Sequence, residues 1–156
     1  MMQKDSVAQP LFNTLYSLQR VEENLLTSGG ENILTLNEIH IIETIGLNKS
    51  KSMGETAAAL DISLGSMTKA ADKLERKKYI FRVRKEDDRR VVLLSLTALG
   101  AAAHKMHERF HMRIADAVLE ALNANECEIL KKALGGLDNY LAILAPKESP
   151  YSHAES

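Results

Sequence analysis

The feature that most constrains the fold of this chain is a change of periodicity at Lys78. Before it, residues 53–60 and the segment from Ser63 onward carry apolar side chains at helical spacing, and a tight Asp61-Ile62-Ser63 connection separates them. Ser63 is placed to cap the second of these helices. After Lys78, residues 79–84 and 91–96 are extended apolar runs on either side of a polar stretch. The pattern predicts a helix-turn-helix followed directly by a β-hairpin.

Long helical patterns lie on both sides of this unit. Apolar residues recur at three- and four-residue steps through residues 7–26, Thr35 can cap a second helix that ends at Gly46, and Thr97 can cap a fifth. A sixth pattern covers residues 126–144. We expect one mainly α-helical domain over residues 1–156, a winged helix-turn-helix. Its parts are a helix-turn-helix lobe with a small β-hairpin wing at 33–97, long outer helices at 7–28 and 98–145, and a flexible tail at 146–156.

The composition excludes several classes of protein. The chain has 156 residues and a single cysteine, Cys127, so it cannot be a disulfide framework. No segment approaches the roughly 20 consecutive apolar residues of a membrane span, and we expect a cytoplasmic protein without membrane contact. Ser66 and Lys69 match a serine-x-x-lysine nucleophile motif, but the companion loops and a glycine-rich phosphate loop are missing. We therefore predict that the protein is not an enzyme.

The charge is concentrated in one segment. Residues 63–90 hold ten basic and five acidic side chains, a local charge of +5, although the whole chain carries −1. Because a cationic surface releases counterions from a phosphate backbone, we expect this segment to face double-stranded DNA. The alternative for such a run is an ordinary solvated face, which would make the protein a helical interaction module with an incidental basic hairpin.

The second helix of the pair offers a slim polar face. Its predicted core positions are Leu64, Met67, Ala71 and Leu74. The opposite side carries short or cationic side chains, as a helix in a major groove about 12 Å wide requires. We expect Ser66, Thr68 and Lys69 to contact bases or nearby phosphates. The expected DNA contacts of this helix are Ser63, Gly65, Ser66, Thr68, Lys69 and Lys73, with Ser63 and Lys73 on the backbone.

The hairpin supplies a second set of contacts. A narrow ribbon that carries arginine is attracted to the minor groove, so we expect Arg89 or Arg90 to enter it. Arg84 and Lys85 are further expected DNA contacts. Asp88 is expected to orient an arginine or the turn, because phosphates repel a carboxylate.

Three segments carry a family resemblance: Ala57-Ala58-Ala59-Leu60-Asp61-Ile62-Ser63, Leu74-Glu75-Arg76-Lys77, and Asp87-Asp88-Arg89-Arg90 followed by Leu94-Ser95-Leu96-Thr97 and Gly100. Through them the chain resembles the MarR family of winged helix-turn-helix regulators. It is also similar to the FabT branch, repressors of fatty-acid synthesis that respond to acyl carrier protein, through Glu38-Ile39-His40, Leu64-Gly65 and His107-Glu108-Arg109-Phe110-His111. Lys78 and Asp61 stand where relatives usually have glycine, which implies left-handed backbone at both positions.

The resemblance implies a homodimer that binds a palindromic operator and represses transcription, with fatty-acid synthesis genes as candidate targets. The leucine stripes of the long helices need a partner surface, although they could instead close a bundle within one chain. No cofactor is required. An acyl carrier protein or a small-molecule effector is expected to adjust the spacing of the two DNA-binding lobes, and the FabT resemblance favours a corepressor.

Histidines mark the fifth helix. His107 and His111 lie four residues apart and share a face at a spacing that suits a metal. These residues resemble the ligand pattern of zinc-sensing members of the family, which bind the metal through a carboxylate from the first helix, a histidine from the second and two histidines from the fifth. That pattern implies Glu22, His40, His107 and His111 as ligands. Alternatively, the histidines anchor the hinge between dimer and lobe, or contact the headgroup of an acyl chain.

An apolar effector pocket would have to lie between the long helices and the lobe. Its candidate lining residues are Phe12, Leu15, Tyr16, Ile39, His40, Ile42, Met106 and Phe110. Plain core packing explains the same residues, and the sequence leaves the choice open.

Overall fold

The structure is a computed structural model that describes residues 2–28, 33–85, 88 and 91–144. Six helices and three strands follow one another in these residues. In chain order they are α1 (Met2–Thr27), α2 (Leu36–Ile45), β1 (Ser50–Ser52), α3 (Met53–Ala59), α4 (Leu64–Arg76), β2 (Ile80–Arg84), β3 (Val92–Leu96), α5 (Ala98–Leu119) and α6 (Ala124–Leu144). The prediction of a mainly α-helical winged helix-turn-helix is confirmed.

Short polar residues begin the helices where the sequence predicts caps. The hydroxyl of Thr35 accepts from the backbone N–H of Glu38 at 3.3 Å, and the Thr35 N–H donates to the Glu38 carboxylate at 2.9 Å. Ser63 accepts from the N–H of Ser66 at 3.1 Å, and Thr97 caps α5 in the same way at 3.1 Å. All three predicted caps are confirmed, so the start of α4 is fixed by local chemistry.

The turns before and after α4 use left-handed backbone without glycine. Asp61 (φ 54°) connects α3 to α4, and Lys78 (φ 64°) lies between α4 and β2. This region costs a residue with a side chain about 1 kcal/mol or more. Near Lys78 the cost is offset by two 2.9 Å hydrogen bonds, from its own N–H to the Glu75 carbonyl and from the Tyr79 N–H to the Leu74 carbonyl. The left-handed conformation expected at both positions is confirmed.

The wing belongs to a three-stranded antiparallel sheet in the order β1-β3-β2. Strands β2 and β3 form the predicted hairpin, with Arg82 opposite Leu94. Strand β1, which the sequence did not predict, pairs with β3 at Ser50 and Ser95, whose hydroxyl oxygens lie 2.6 Å apart. Because β1 directly precedes α3, its pairing with β3 joins the base of the wing to the start of α3.

The hydrophobic core lies in the lobe, where α2, α4 and the sheet meet. Ile39, Ile42, Met67, Leu74 and Leu94 have no exposed surface. These residues come from three elements that are distant in sequence, so α4 is held on its inner side by continuous apolar packing.

One residue predicted to belong to this core does not. Leu64 is the first residue of α4 and its surface is 58% exposed. Helical spacing places it near the line of Met67 and Ala71, but the core that buries Met67 does not reach the Leu64 side chain. The prediction that Leu64 faces the core is wrong.

The long helices leave large apolar surfaces open on the single chain. No residue of α6 is buried, and residues 111–119 of α5 are all exposed. Phe12 on α1 is 54% exposed, Leu134 on α6 is 53% exposed and Ile143 is 74% exposed. Among the described residues no helix is long and apolar enough to cross a lipid bilayer. The expected tail at 146–156 lies outside the described residues.

Candidate nucleic-acid interface

The outer side of α4 is polar and cationic. Because Met67, Ala71 and Leu74 are buried, the residues between them turn outward. The predicted contacts on this helix all have exposed positions: Ser63, Gly65, Ser66, Thr68, Lys69 and Lys73. Lys69 and Lys73 are one helical turn apart, so two ammonium groups lie on neighbouring turns of the same helix.

The hydroxyl groups on α4 differ in what they can offer a ligand. Thr68 donates its proton to the carbonyl oxygen of Leu64 at 2.8 Å, so its hydroxyl is left as an acceptor. Ser63 donates to the hydroxyl of Ser66 at 2.9 Å and also caps the helix. Ser66 therefore keeps a proton to donate to a base or a phosphate, whereas the Ser63 hydroxyl uses its proton and an acceptor position in capping the helix.

The described part of the wing also carries cations. Arg84, at the end of β2, and Lys85 are both exposed. The hairpin closes through backbone bonds from Lys85 N–H to the Val91 carbonyl at 3.0 Å and from Val91 N–H to the Asp88 carbonyl at 2.9 Å. Arg89 and Arg90, the expected minor-groove residues, lie outside the described residues. The orienting role of the Asp88 side chain stays a prediction.

Arg82 joins the wing to α4 and was not among the predicted site residues. Its guanidinium donates to the Asp72 carboxylate at 2.6 Å and lies 3.5 Å from that of Glu75. Asp72 and Glu75 share a face of α4 at a spacing of three residues. Two acidic residues in an otherwise basic helix are the signal that could have indicated an internal cationic partner.

A buried histidine links three helices. His107 on α5 has no exposed surface, and its ring nitrogens contact Glu22 of α1 at 2.5 Å and Glu43 of α2 at 2.6 Å. His111 lies 3.5 Å from the same Glu22 oxygen. Glu22, His107 and His111 offer donor atoms that all lie within 4.8 Å of one another. Of the four predicted ligands the structure therefore brings three together.

His40, the fourth predicted ligand, is exposed and its ring centroid lies 6.3 Å from that of His107. Glu43 was not predicted, and it occupies the ring nitrogen that faces away from Glu22. A carboxylate that orients a ligating histidine through its second nitrogen is a usual companion of protein metal sites. Its position one turn after the buried Ile39 on α2 could have suggested that it also faces the interior.

Known proteins share both the sequence and the architecture of this lobe. The MarR family profile matches residues 34–92. The crystal structure of Streptococcus pneumoniae FabT in complex with DNA is 31% identical, with a TM-score of 0.81 over 90% of this chain and 98% of FabT. The chain belongs to the MarR family. MarR-family proteins are transcription regulators, so the prediction that the chain is not an enzyme is confirmed.

Two of the curated relatives, both named HTH-type regulators, match about half of this chain. The Bacillus subtilis regulator YhjH is 24% identical over 85 residues, which cover 54% of this chain and 49% of YhjH. The B. subtilis repressor MdtR is 29% identical over 82 residues, 53% of each protein. The chain thus spans about half the length of these two MarR-type relatives, whereas the likeness to FabT extends through the long helices.

The predicted effector-pocket residues fall into two groups in this MarR-family protein. Ile39 and Ile42 are fully buried in the lobe. Phe12 and Tyr16 on α1 are 54% and 70% exposed. The remaining predicted lining residues are Leu15, which is 46% exposed, His40, and the half-buried Met106 and Phe110. A pocket built from both groups stays a prediction.

Proposed function

We propose that this protein is a homodimeric transcriptional repressor that binds a palindromic operator through α4 and the wing. The observation that carries the proposal is the likeness to FabT, whose crystal structure contains DNA, over 90% of the chain together with the exposed cationic face of α4. The proposed division has a DNA-binding lobe at 33–97 and dimerisation helices at 7–28 and 98–145.

The dimer is supported by the open apolar surfaces of the long helices. A soluble monomer rarely leaves so many large apolar side chains exposed, and a two-fold interface between α1, α5 and α6 of two chains would cover them. Two copies of α4 would then lie about 34 Å apart, one helical turn of duplex. A single lobe would present one short basic face and bind DNA weakly.

The operator contacts are divided by chemistry. Ser66 can donate through its free hydroxyl proton, and Lys69 presents a flexible ammonium group to bases or phosphates. Lys73 and the Ser63 end of α4 are assigned to the DNA backbone. Arg84, Lys85, Arg89 and Arg90 are assigned to the wing contacts around the minor groove.

Operator binding can be tested by the fluorescence anisotropy of labelled duplexes over a series of salt concentrations. Arg90→Ala should weaken binding to all sequences and reduce the salt slope by about two for a dimer, because each protomer loses about one phosphate contact. Lys69→Ala should change the preference between operators. Lys49→Ala, an exposed lysine outside the assigned DNA contacts and the dimerisation helices, is the matched control and should bind as the wild type does. Binding that is independent of salt, or equal for all four proteins, would contradict the proposal.

The FabT resemblance supports fatty-acid synthesis genes as targets and an acyl carrier protein as corepressor. The same anisotropy assay, with promoter fragments of those genes, should give tighter binding when a long-chain acyl carrier protein is added. The unacylated carrier is the control. Equal affinity with both carriers would remove this effector and leave operator binding intact.

A second candidate function, a zinc-responsive regulator, is favoured by one observation: Glu22, His107 and His111 converge within 4.8 Å. A carboxylate and two imidazoles are suitable zinc ligands, and Glu43 would orient His107. His111→Ala should lower zinc affinity measured by competition with a chromophoric chelator, and should abolish any effect of zinc on operator affinity. His104→Ala, on the same helix, is the control. Unchanged zinc affinity in His111→Ala would exclude the site.

A further inference from the structure

An exposed leucine stands at the leading end of the proposed DNA-binding helix. Leu64 is 58% exposed although its neighbours on α4, Gly65 and Ser66, are small or polar. Its side chain gains stability from burial only when another molecule covers it. Because the core does not cover Leu64, its apolar surface is available to a ligand of the lobe.

Leu64 lines a groove between α4 and the wing. The groove has a volume of about 490 Å³, and the described residues line it mainly with apolar atoms, including those of Met53 at the start of α3, of Val91, and of Val92 at the start of β3. Thr68, one turn after Leu64, lines it too. A duplex that contacts both α4 and the wing passes over this groove, so the groove is continuous with the proposed operator interface.

The chemistry of the groove selects among the groups that DNA presents. The Thr68 hydroxyl donates its proton to the Leu64 carbonyl at 2.8 Å, so it cannot also donate to a phosphate or a base acceptor there. Among the described residues that line the groove the cation is Arg82, whose terminal nitrogen donates to Asp72 at 2.6 Å. An apolar surface of this kind disfavours a phosphate, whose oxygens would lose hydration. The apolar group that duplex DNA offers in the major groove is the C5-methyl of thymine.

We propose that Leu64 is a specificity-determining residue that recognises thymine in each operator half-site through contact with the C5-methyl group. This inference rests on the proposed function, since it requires α4 to enter the major groove. The two-fold dimer would use Leu64 twice, once in each half-site.

The test removes single methyl groups from the DNA. An operator is first selected from random duplexes with the wild-type protein, and each thymine is then replaced by uracil, which keeps the base pair but lacks the methyl group. At one thymine per half-site, uracil should weaken wild-type binding about fourfold, the value of one buried methyl group, and about fifteenfold when both half-sites are changed. Leu64→Ala should bind the thymine and uracil duplexes at these positions within twofold of each other.

Leu99→Ala is the matched control, because Leu99 is a 39% exposed leucine in the first turn of α5, outside the groove. It should show the wild-type uracil profile. The inference is overturned if replacing thymine by uracil weakens binding of wild type and Leu64→Ala by the same factor at every position. It is also overturned if Leu64→Ala weakens binding to all duplexes equally. In both cases operator binding itself stands. If no operator is selected, the proposed function itself fails.

Discussion

Gly100→Ala should destabilise the fold although alanine is the better helix former. A Cβ at Gly100 would lie well inside van der Waals contact with the carbonyl oxygen of Tyr79, 3.1 Å from its carbonyl carbon and 3.3 Å from the Cβ of Leu96. That carbonyl cannot easily move, because it accepts from the N–H of Thr97 at 3.0 Å, while Thr97 Oγ1 donates to the Lys78 carbonyl at 2.6 Å. The first turn of α5 and the end of the α4–β2 turn therefore hold each other in place.

The expected loss in the free energy of unfolding combines two destabilising contributions with one stabilising contribution. Forcing an extra methyl group into a packed site costs about 1–3 kcal/mol, and one lost hydrogen bond costs about 1 kcal/mol. Replacement of glycine at a helical position returns about 0.4–1 kcal/mol. The net loss is about 1–4 kcal/mol, which for a chain of this length lowers Tm by about 2–15 °C.

Urea unfolding followed by circular dichroism measures this loss, with all variants at one protein concentration because the stability of an oligomer depends on it. Gly54→Ala is the control. Gly54 lies in the first turn of α3, and among the described residues no neighbouring atom comes within 4 Å of the position that an added Cβ would take. This variant should therefore be as stable as wild type or slightly more stable. A Gly100→Ala protein as stable as Gly54→Ala would refute the argument from close packing.

Two further predictions concern charge pairs. Lys77→Ala should lower the free energy of unfolding by about 1–3 kcal/mol, because it removes the ammonium group that lies 2.7 Å from the carboxylate of Glu38, a residue only 4% exposed. Urea unfolding measures this loss. The cap variant Thr35→Ala should show a smaller loss in the same assay, about 1 kcal/mol. Arg82→Gln and Asp72→Asn should each reduce operator affinity up to about fivefold, because a partly exposed ion pair contributes at most about 1 kcal/mol. The double variant should bind no worse than either single variant in anisotropy titrations, and additive losses would mean that the pair does not act as a unit.

The features of the lobe that depend on neighbouring residues could be predicted from the sequence. Thr35, Ser63 and Thr97 cap helices because each hydroxyl needs only a backbone N–H three residues ahead. The left-handed backbone at Lys78 was indicated by the family position of a glycine, and its hydrogen bonds involve residues within five positions. The hairpin likewise joins two runs separated by a short polar turn.

Features that depend on distant residues escaped prediction. Strand β1 has three polar residues and exists because Ser50 pairs with Ser95, which is 45 positions away. The contact between Glu43 and His107 spans 64 positions and requires the packing of α2 on α5 to be known. Leu64 was misassigned for a related reason: helical periodicity gives the direction of a side chain, but not whether another element reaches the end of the helix to cover it.

The same contacts determine how a signal would pass from the long helices to DNA. Lys77 beside the end of α4 is bound to Glu38 of α2 at 2.7 Å, and Glu43 of α2 is bound to the buried His107 of α5 at 2.6 Å. Helix α2 is therefore fastened to α4 on one side and to α5 on the other, while Glu22 ties α1 to the same histidine. A change in the crossing of α1 and α5 would carry α2 and α4 with it as one body, since internal rearrangement would separate the buried Glu38 and the partly buried Glu43 from their partners. In the proposed dimer, an effector would then act by changing the distance between two intact α4 helices, and the fit to successive turns of DNA would convert that distance into affinity.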